Sequence, residues 1–157
     1  MTTAKGSRQH EEIFMEEALR LAREGADMGE IPVGCVIALD GEVIATGQNN
    51  VERTSDPTAH AEISAIKEAA KRLGKNLSRC ELYVTVEPCA MCAGAIVNAK
   101  IGKLYIGTEE PKTGCCGTLY DLVEDARLNS NPRVVRGIRT EECKKLMADF
   151  FAARRDK

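Results

Sequence analysis

The chain has 157 residues, which suits one domain at the usual span of roughly 100–200 residues and is enough to bury a real core. Acidic and basic residues nearly balance, 24 against 22 with a net charge of −2, so a globally basic nucleic-acid binder is excluded and only a local basic patch stays open. Seven cysteines, an odd number, argue against a disulfide framework. With a polar N-terminus showing no signal peptide and no apolar run near the ~18 residues of a membrane span, the expectation is a soluble, cytoplasmic protein.

Residues 1–6 read as a flexible lead-in, and Ser7 as the cap of a first helix whose early turns carry Glu11 and Glu12. Phe14, Ala18, Leu21 and Ala22 recur at helical spacing, and Gly25 is the expected stop. Residues 33–39 are apolar on both faces and predict a central strand with Cys35 as an inert core residue. Asp40-Gly41 predicts a two-residue hairpin turn into a second strand over 42–47, after which Asn49 and Asn50 stand as either turn residues or functional ones.

Asp56-Pro57 predicts a helix start, with Asp56 as cap and Pro57 in the first turn. Ala59, Ile63, Ile66, Ala70 and Leu73 predict its buried face. His60 and Glu62 would point ~200° apart on a regular helix, so they converge on one point only by reaching over its tip. Lys67, Lys71, Arg72, Lys75 and Arg79 read as a solvated face. A third strand, 81–86, runs directly into Glu87-Pro88-Cys89, where Pro88 suits a helix boundary. Cys89 and Cys92 then share one face of a first turn, where the helix N-terminus favours thiolates. Ala93-Gly94-Ala95 would allow close helix packing, and residues 101–106 predict a fourth strand, parallel to the third. The cysteines therefore belong beyond the carboxyl end of a strand, where open α/β sheets bind ligands. Downstream come a loop over 107–117, a short helix over 118–124, a fifth strand over 133–137, and a last helix from Glu141 with Cys143, Leu146, Met147, Phe150 and Phe151 facing inward.

One imidazole, His60, and two thiols, Cys89 and Cys92, make a three-ligand set that leaves a fourth tetrahedral position free, as in catalytic zinc sites. A redox role for Cys89-Ala90-Met91-Cys92 would leave His60 and Glu62 without a purpose. His-x-Glu followed by Pro-Cys-x-x-Cys matches the established signature of zinc nucleobase deaminases.

Taken with Asp56-Pro57-Thr58-Ala59-His60-Ala61-Glu62-Ile63, Cys89-Ala90-Met91-Cys92-Ala93-Gly94-Ala95, Lys112-Thr113-Gly114 and Asp149-Phe150-Phe151, nearly the whole chain resembles the bacterial tRNA-specific adenosine deaminases of the cytidine-deaminase-like superfamily. The resemblance implies an α/β fold, a three-layer α/β/α sandwich around a five-stranded mixed sheet, with residues 1–157 as one zinc-dependent deaminase domain and a homodimer in solution. It implies one zinc ion per chain on His60, Cys89 and Cys92, with Glu62 as proton shuttle. Asn49, Ala61, Glu110 and Lys112 are carried over as substrate-facing residues, Glu110 standing where relatives often have Asp. The implied reaction is hydrolysis of adenosine to inosine at the wobble position of a tRNA anticodon loop, with an arginine tRNA as the expected substrate. Water adds at C6 and ammonia leaves, while Glu62 moves protons to ring N1 and the leaving amine. A deaminase of free cytidine, deoxycytidylate or guanine would share the zinc core, and a non-catalytic zinc-stabilised RNA-binding module would give Glu62 no role. Lys112, Arg154, Arg155 and Lys157 are the candidate phosphate contacts.

Overall fold

Strand β1 (Gly34–Leu39) is buried on both faces, as its unbroken apolar run requires, and it occupies an interior place in the sheet. In the computed structural model, which describes residues 4–155, five strands lie in the order β2-β1-β3-β4-β5. β2 is Glu42–Gln48, β3 Glu81–Val86, β4 Lys103–Thr108 and β5 Arg133–Arg136. β1 pairs antiparallel with β2 and with β3, whereas β3, β4 and β5 run parallel, so the sheet is mixed. The β1–β2 turn is the expected Asp40-Gly41, both at positive φ (51° and 80°).

Helices cover both faces. Helix α1 (Ala4–Asp27) and the last helix, α5 (Thr140–Arg155), lie on one. There Phe14, Met15, Ala18 and Leu19 meet Val36, Tyr83 and Tyr105, and the two tyrosine rings stack 4.3 Å apart. On the other face lie α3 (Ala61–Leu73) and α4 (Ala90–Ala99), over Cys35, Ile37, Leu82, Val84 and Leu104. The alternation Leu82, Tyr83, Val84 divides β3 between the two cores, as a period of two demands. This is the three-layer α/β/α architecture with a five-stranded mixed sheet.

Several expectations are corrected. Ser7 is no cap, because α1 already begins at Ala4, which also takes residues 4–6 out of the lead-in; residues 1–3 lie outside the described residues. Gly25 does not stop α1, which continues to Asp27 before Gly29 turns the chain at φ 88°. A four-residue turn of helix, α2 (Val51–Thr54), stands where none was expected. Asp56 and Pro57 precede α3 instead of opening it: the Asp56 carboxylate accepts from the Thr58 N–H (2.8 Å) and hydroxyl (2.7 Å), a local side-chain turn. Residues 118–124 form turns, not a helix, with a single bridge between Cys116 and Asp121.

The fully buried residues of α3 are Ala61, Glu62, Ala65 and Ala69; of the expected face, Ala59, Ile63, Ile66, Ala70 and Leu73, only Ile66 packs against the core, half-buried, while Ala59, Ile63 and Ala70 are half-buried. Leu73 is exposed. Contact with β2 decides this. A side chain at Gly47 would run into the main chain of Ala61 and Ala65, so strand and helix meet backbone to backbone and only alanines fit between them. That approach also sets the first turn of α3 beside the end of β2, where Asn49 follows. In α5, Cys143 faces inward, but Phe151 is exposed.

Candidate active site and metal centre

His60 and Cys89 are the N-cap residues of α3 and α4, both with extended backbone (ψ 156° and 179°), and neither uses its side chain to cap the helix. The imidazole and thiol are therefore free to turn toward each other. Cys92, one turn into α4, completes the group. The His60 Nδ1 atom lies 3.6 Å from Cys89 Sγ and 3.4 Å from Cys92 Sγ, and the three ligand atoms all fall within 4.8 Å of one another. Zinc with bonds of about 2.3 Å to sulfur and 2.0–2.1 Å to nitrogen has S···N tetrahedral edges of about 3.6 Å, so these side chains fit zinc without rearrangement.

Electrostatics agree with an anion-bearing ligand set. The Cys89 thiol is drawn down to about 4, first by a hydrogen bond from Cys92, against burial, and further by His60. The bond with Cys89 and burial push Cys92 the other way, so the two thiols hold one proton between them, which a bound metal would displace. His60 is raised, chiefly by its contact with Cys89.

Glu62 sits in the first turn of α3 and is buried, and its Oε1 has no hydrogen-bond partner. Burial pushes its carboxyl up to about 7, partly offset by a backbone hydrogen bond and by His60. An unpaired buried carboxylate oxygen costs ~1–3 kcal/mol or more, which points to a partner supplied by bound substrate or water. The expectation that His60 and Glu62 meet by reaching over a helix tip holds, although the helix starts later than expected.

These groups open into a cavity of about 350 Å³ walled by Ile31, Val33, Asn49, Ala61, Val86, Glu110, Lys112, Met147 and Phe151. All four of the expected substrate-facing residues, Asn49, Ala61, Glu110 and Lys112, thus line it. Asn49 is buried and its amide nitrogen donates to Ile31 O at 3.4 Å. Ala61 adds a buried wall at the start of α3. Glu110 accepts from the Lys112 N–H at 2.9 Å, and Lys112 is exposed at the rim. A larger open groove of about 1140 Å³ adjoins, sharing Glu110, Lys112, Met147 and Phe151 and reaching Arg136 and Lys144. Arg154 is engaged already, donating to Gly29 O at 2.7 Å and lying over the Phe150 ring; Arg155 is exposed, and Lys157 lies outside the described residues.

Two buried carboxylates, Glu30 behind the cavity wall and Glu87 in it, had no signal in the sequence. Glu30 accepts from the Glu52 and Arg53 N–H groups and the Arg53 guanidinium. Glu87 accepts from the Glu110, Cys116 and Thr118 N–H groups and the Thr118 hydroxyl. Burial opposes ionisation at both, but these bonds outweigh it and hold both carboxyls below their ordinary value. A Glu beside a proline looks like any loop acid until its partners come into place. Cys35, Cys80, Cys115, Cys116 and Cys143 are buried thiols raised chiefly by burial, as inert core cysteines should be.

Residues 8–108 match the family described as the cytidine and deoxycytidylate deaminase zinc-binding region. The chain is 42% identical to the tRNA-specific adenosine deaminase of Bacillus subtilis (strain 168), over 94% of this chain and 92% of that protein. Among solved structures, it superposes with a TM-score of 0.81 and 40% identity on one from biochemical and structural studies of A-to-I editing by tRNA:A34 deaminases at the wobble position of transfer RNA, covering 85% of this chain and 97% of that one. A guanine deaminase from Bacillus subtilis matches less of the fold, with a TM-score of 0.60 and 48% identity over 62% of this chain and 64% of that one. A His-Cys-Cys triad at two helix tips with the geometry to hold zinc, a buried carboxylate beside it, and identity running nearly end to end with the tRNA-editing branch lead to one family: the chain belongs to the tRNA-specific adenosine deaminases of the cytidine-deaminase-like superfamily.

Proposed function

We propose that the whole chain, residues 1–157, is one zinc-dependent deaminase domain that hydrolyses the wobble adenosine of a tRNA anticodon loop to inosine, with an arginine tRNA as its substrate. The observation that carries this is the orphaned, buried Glu62 oxygen beside His60, Cys89 and Cys92 at the floor of the cavity. Zinc held by the three ligands would supply Lewis acidity at its fourth position. Glu62 accepts a proton from the attacking water and delivers it to ring N1, then takes the proton of the new C6 hydroxyl and gives it to the departing amine. A C6–O bond forms, the C6–N6 bond breaks, and ammonia leaves. The Asn49 amide holds the base edge, the main chain at Ala61 packs against it, and Glu110 and Lys112 contact the neighbouring nucleotide and phosphate. The target must leave its stack to reach the cavity floor, which is cheapest in a single-stranded loop. The adjoining groove gives room for flanking nucleotides.

A homodimer completes this reading. Helix α4 carries no charged residue, yet Ala90 and Met91 on it are exposed and Gly94 has open space around it, so among the described residues Gly94 does not make the close packing expected for Ala93-Gly94-Ala95. Leu73 of neighbouring α3 is exposed as well. A second copy would cover these apolar groups, and a fully active monomer by light scattering at micromolar concentration would exclude it. No helix among the described residues is long and apolar enough to cross a membrane, and a tRNA substrate makes the cytoplasm the expected compartment.

The deciding experiment compares kcat/KM, at fixed salt, for an anticodon stem-loop with wobble adenosine against free adenosine, cytidine and guanine. A strong preference for the stem-loop is expected. Comparable values, or a preference for a free base or nucleoside, would assign the chain to the small-molecule branch.

A further inference from the structure

Asn49 is held between two separate segments. Its amide nitrogen donates to Ile31 O and its amide oxygen accepts from the Val51 N–H, each at 3.4 Å. Both bonds are long, so neither segment alone would keep the amide in place. Glu30 joins the two segments. It is the residue before Ile31, it is fully buried, and its two oxygens accept from the N–H groups of Glu52 and Arg53, each at 2.9 Å. The first turn of α2, too short to be stable alone, is thus tied to the loop after α1. Arg53 closes the assembly: its guanidinium donates to Glu30 at 3.0 Å, to the Asn49 main-chain oxygen at 3.0 Å, to Gln48 Oε1 at 3.3 Å, and touches Met28 Sδ. Among the described residues no other carboxylate is bonded to this segment, and Glu30 does not line the cavity.

Resting on the function proposed above, we infer that Glu30, with Arg53, is the positioning group for Asn49: its buried carboxylate clamps the segments on either side of the amide and so sets how the target base is presented to Glu62. Carboxylate chemistry suits the task. Two backbone N–H donors and a guanidinium converge on one group, and only an ionised carboxylate can accept from all three. A glutamine there would accept on one atom and oppose an N–H donor with its own NH₂.

A double-mutant cycle on the zinc-loaded full chain tests this, using the anticodon stem-loop with wobble adenosine. Glu30→Gln is expected to lower kcat about tenfold with KM nearly unchanged, since remote RNA contacts persist while base orientation is lost. In an Asn49→Ala background the same substitution should lower kcat less than about twofold, because the group it positions is gone. Arg53→Met, at a partly exposed site, runs the same cycle if Glu30→Gln folds poorly. An equal fall in both backgrounds, a change in KM alone, or no change would overturn the inference. The Asn49 side-chain amide resonance in ¹⁵N-labelled protein should also shift in either variant, and an unmoved resonance counts against the clamp. A parent chain inactive on the stem-loop would defeat the proposed function instead, and the resonance would still decide the clamp.

Discussion

His60, Cys89 and Cys92 come from the first residues of two helices laid on the same face of the sheet, whereas Asn49, Glu110 and Lys112 stand on loops. On the metal side, position follows from helix ends: an N-cap residue is fixed by the hydrogen bonds of the turn it opens. On the substrate side no long element does this, and buried Glu30 and Glu87 take its place, Glu30 by gathering N–H groups of the one-turn α2 and Glu87 those of the loop after β4. One side is rigid through secondary structure, the other through two charges kept out of water, so the two should fail in different ways.

The largest effect is expected from breaking the metal side. Cys92→Ala removes a ligand from a set of three; zinc per chain by elemental analysis should fall well below one and deamination with it, and full retention of both would refute the assignment. Glu62→Ala sharpens the contrast, since Glu62 is not a ligand: zinc and fold should persist while kcat falls by about 10²–10⁴, and activity within tenfold of the parent would remove Glu62 from the reaction.

Breaking the substrate side should cost stability before chemistry. Glu87→Gln leaves loop N–H groups without their charged acceptor and should destabilise by about 1–3 kcal/mol at pH 7, with zinc retained. The pH dependence has a definite sign. The folded carboxyl lies below its unfolded value, so its contribution is complete above the ordinary Glu pKa of about 4.3 and disappears as pH falls through the folded value. Thermal melts should show the gap between parent and Glu87→Gln narrowing toward pH 3; a gap constant across that range would mean the charge does not hold the loop.

The smallest effect concerns the rim. Lys112 is exposed and makes no side-chain bond among the described residues, so Lys112→Ala should leave melting unchanged. If Lys112 meets a phosphate, the slope of log binding constant against log salt on the stem-loop should flatten by about 0.7. An unchanged slope would leave Lys112 outside the RNA contact.

The chain by itself determined the clustering of His60, Cys89 and Cys92, the place of Glu62 beside them, the order of the strands along it and the buried strand β1. These depend on short-range rules: helix starts, an i,i+3 cysteine pair, an Asp-Gly turn, a period of two in β3. Errors at Ser7, Gly25 and Asp56 were shifts of helix boundaries by a few residues, where several plausible caps compete. Tertiary structure decided which residues of α3 turn fully inward, because Gly47 brings β2 so close that only small alanines fit between them, leaving Ile66 half-buried against the core and Leu73 exposed. It also decided that Glu30 and Glu87 are buried, since their partners lie 22–31 residues away along the chain. No local pattern distinguishes a solvated loop acid from one that organises a cavity wall. The difference arises only when distant N–H groups converge on it and water is excluded.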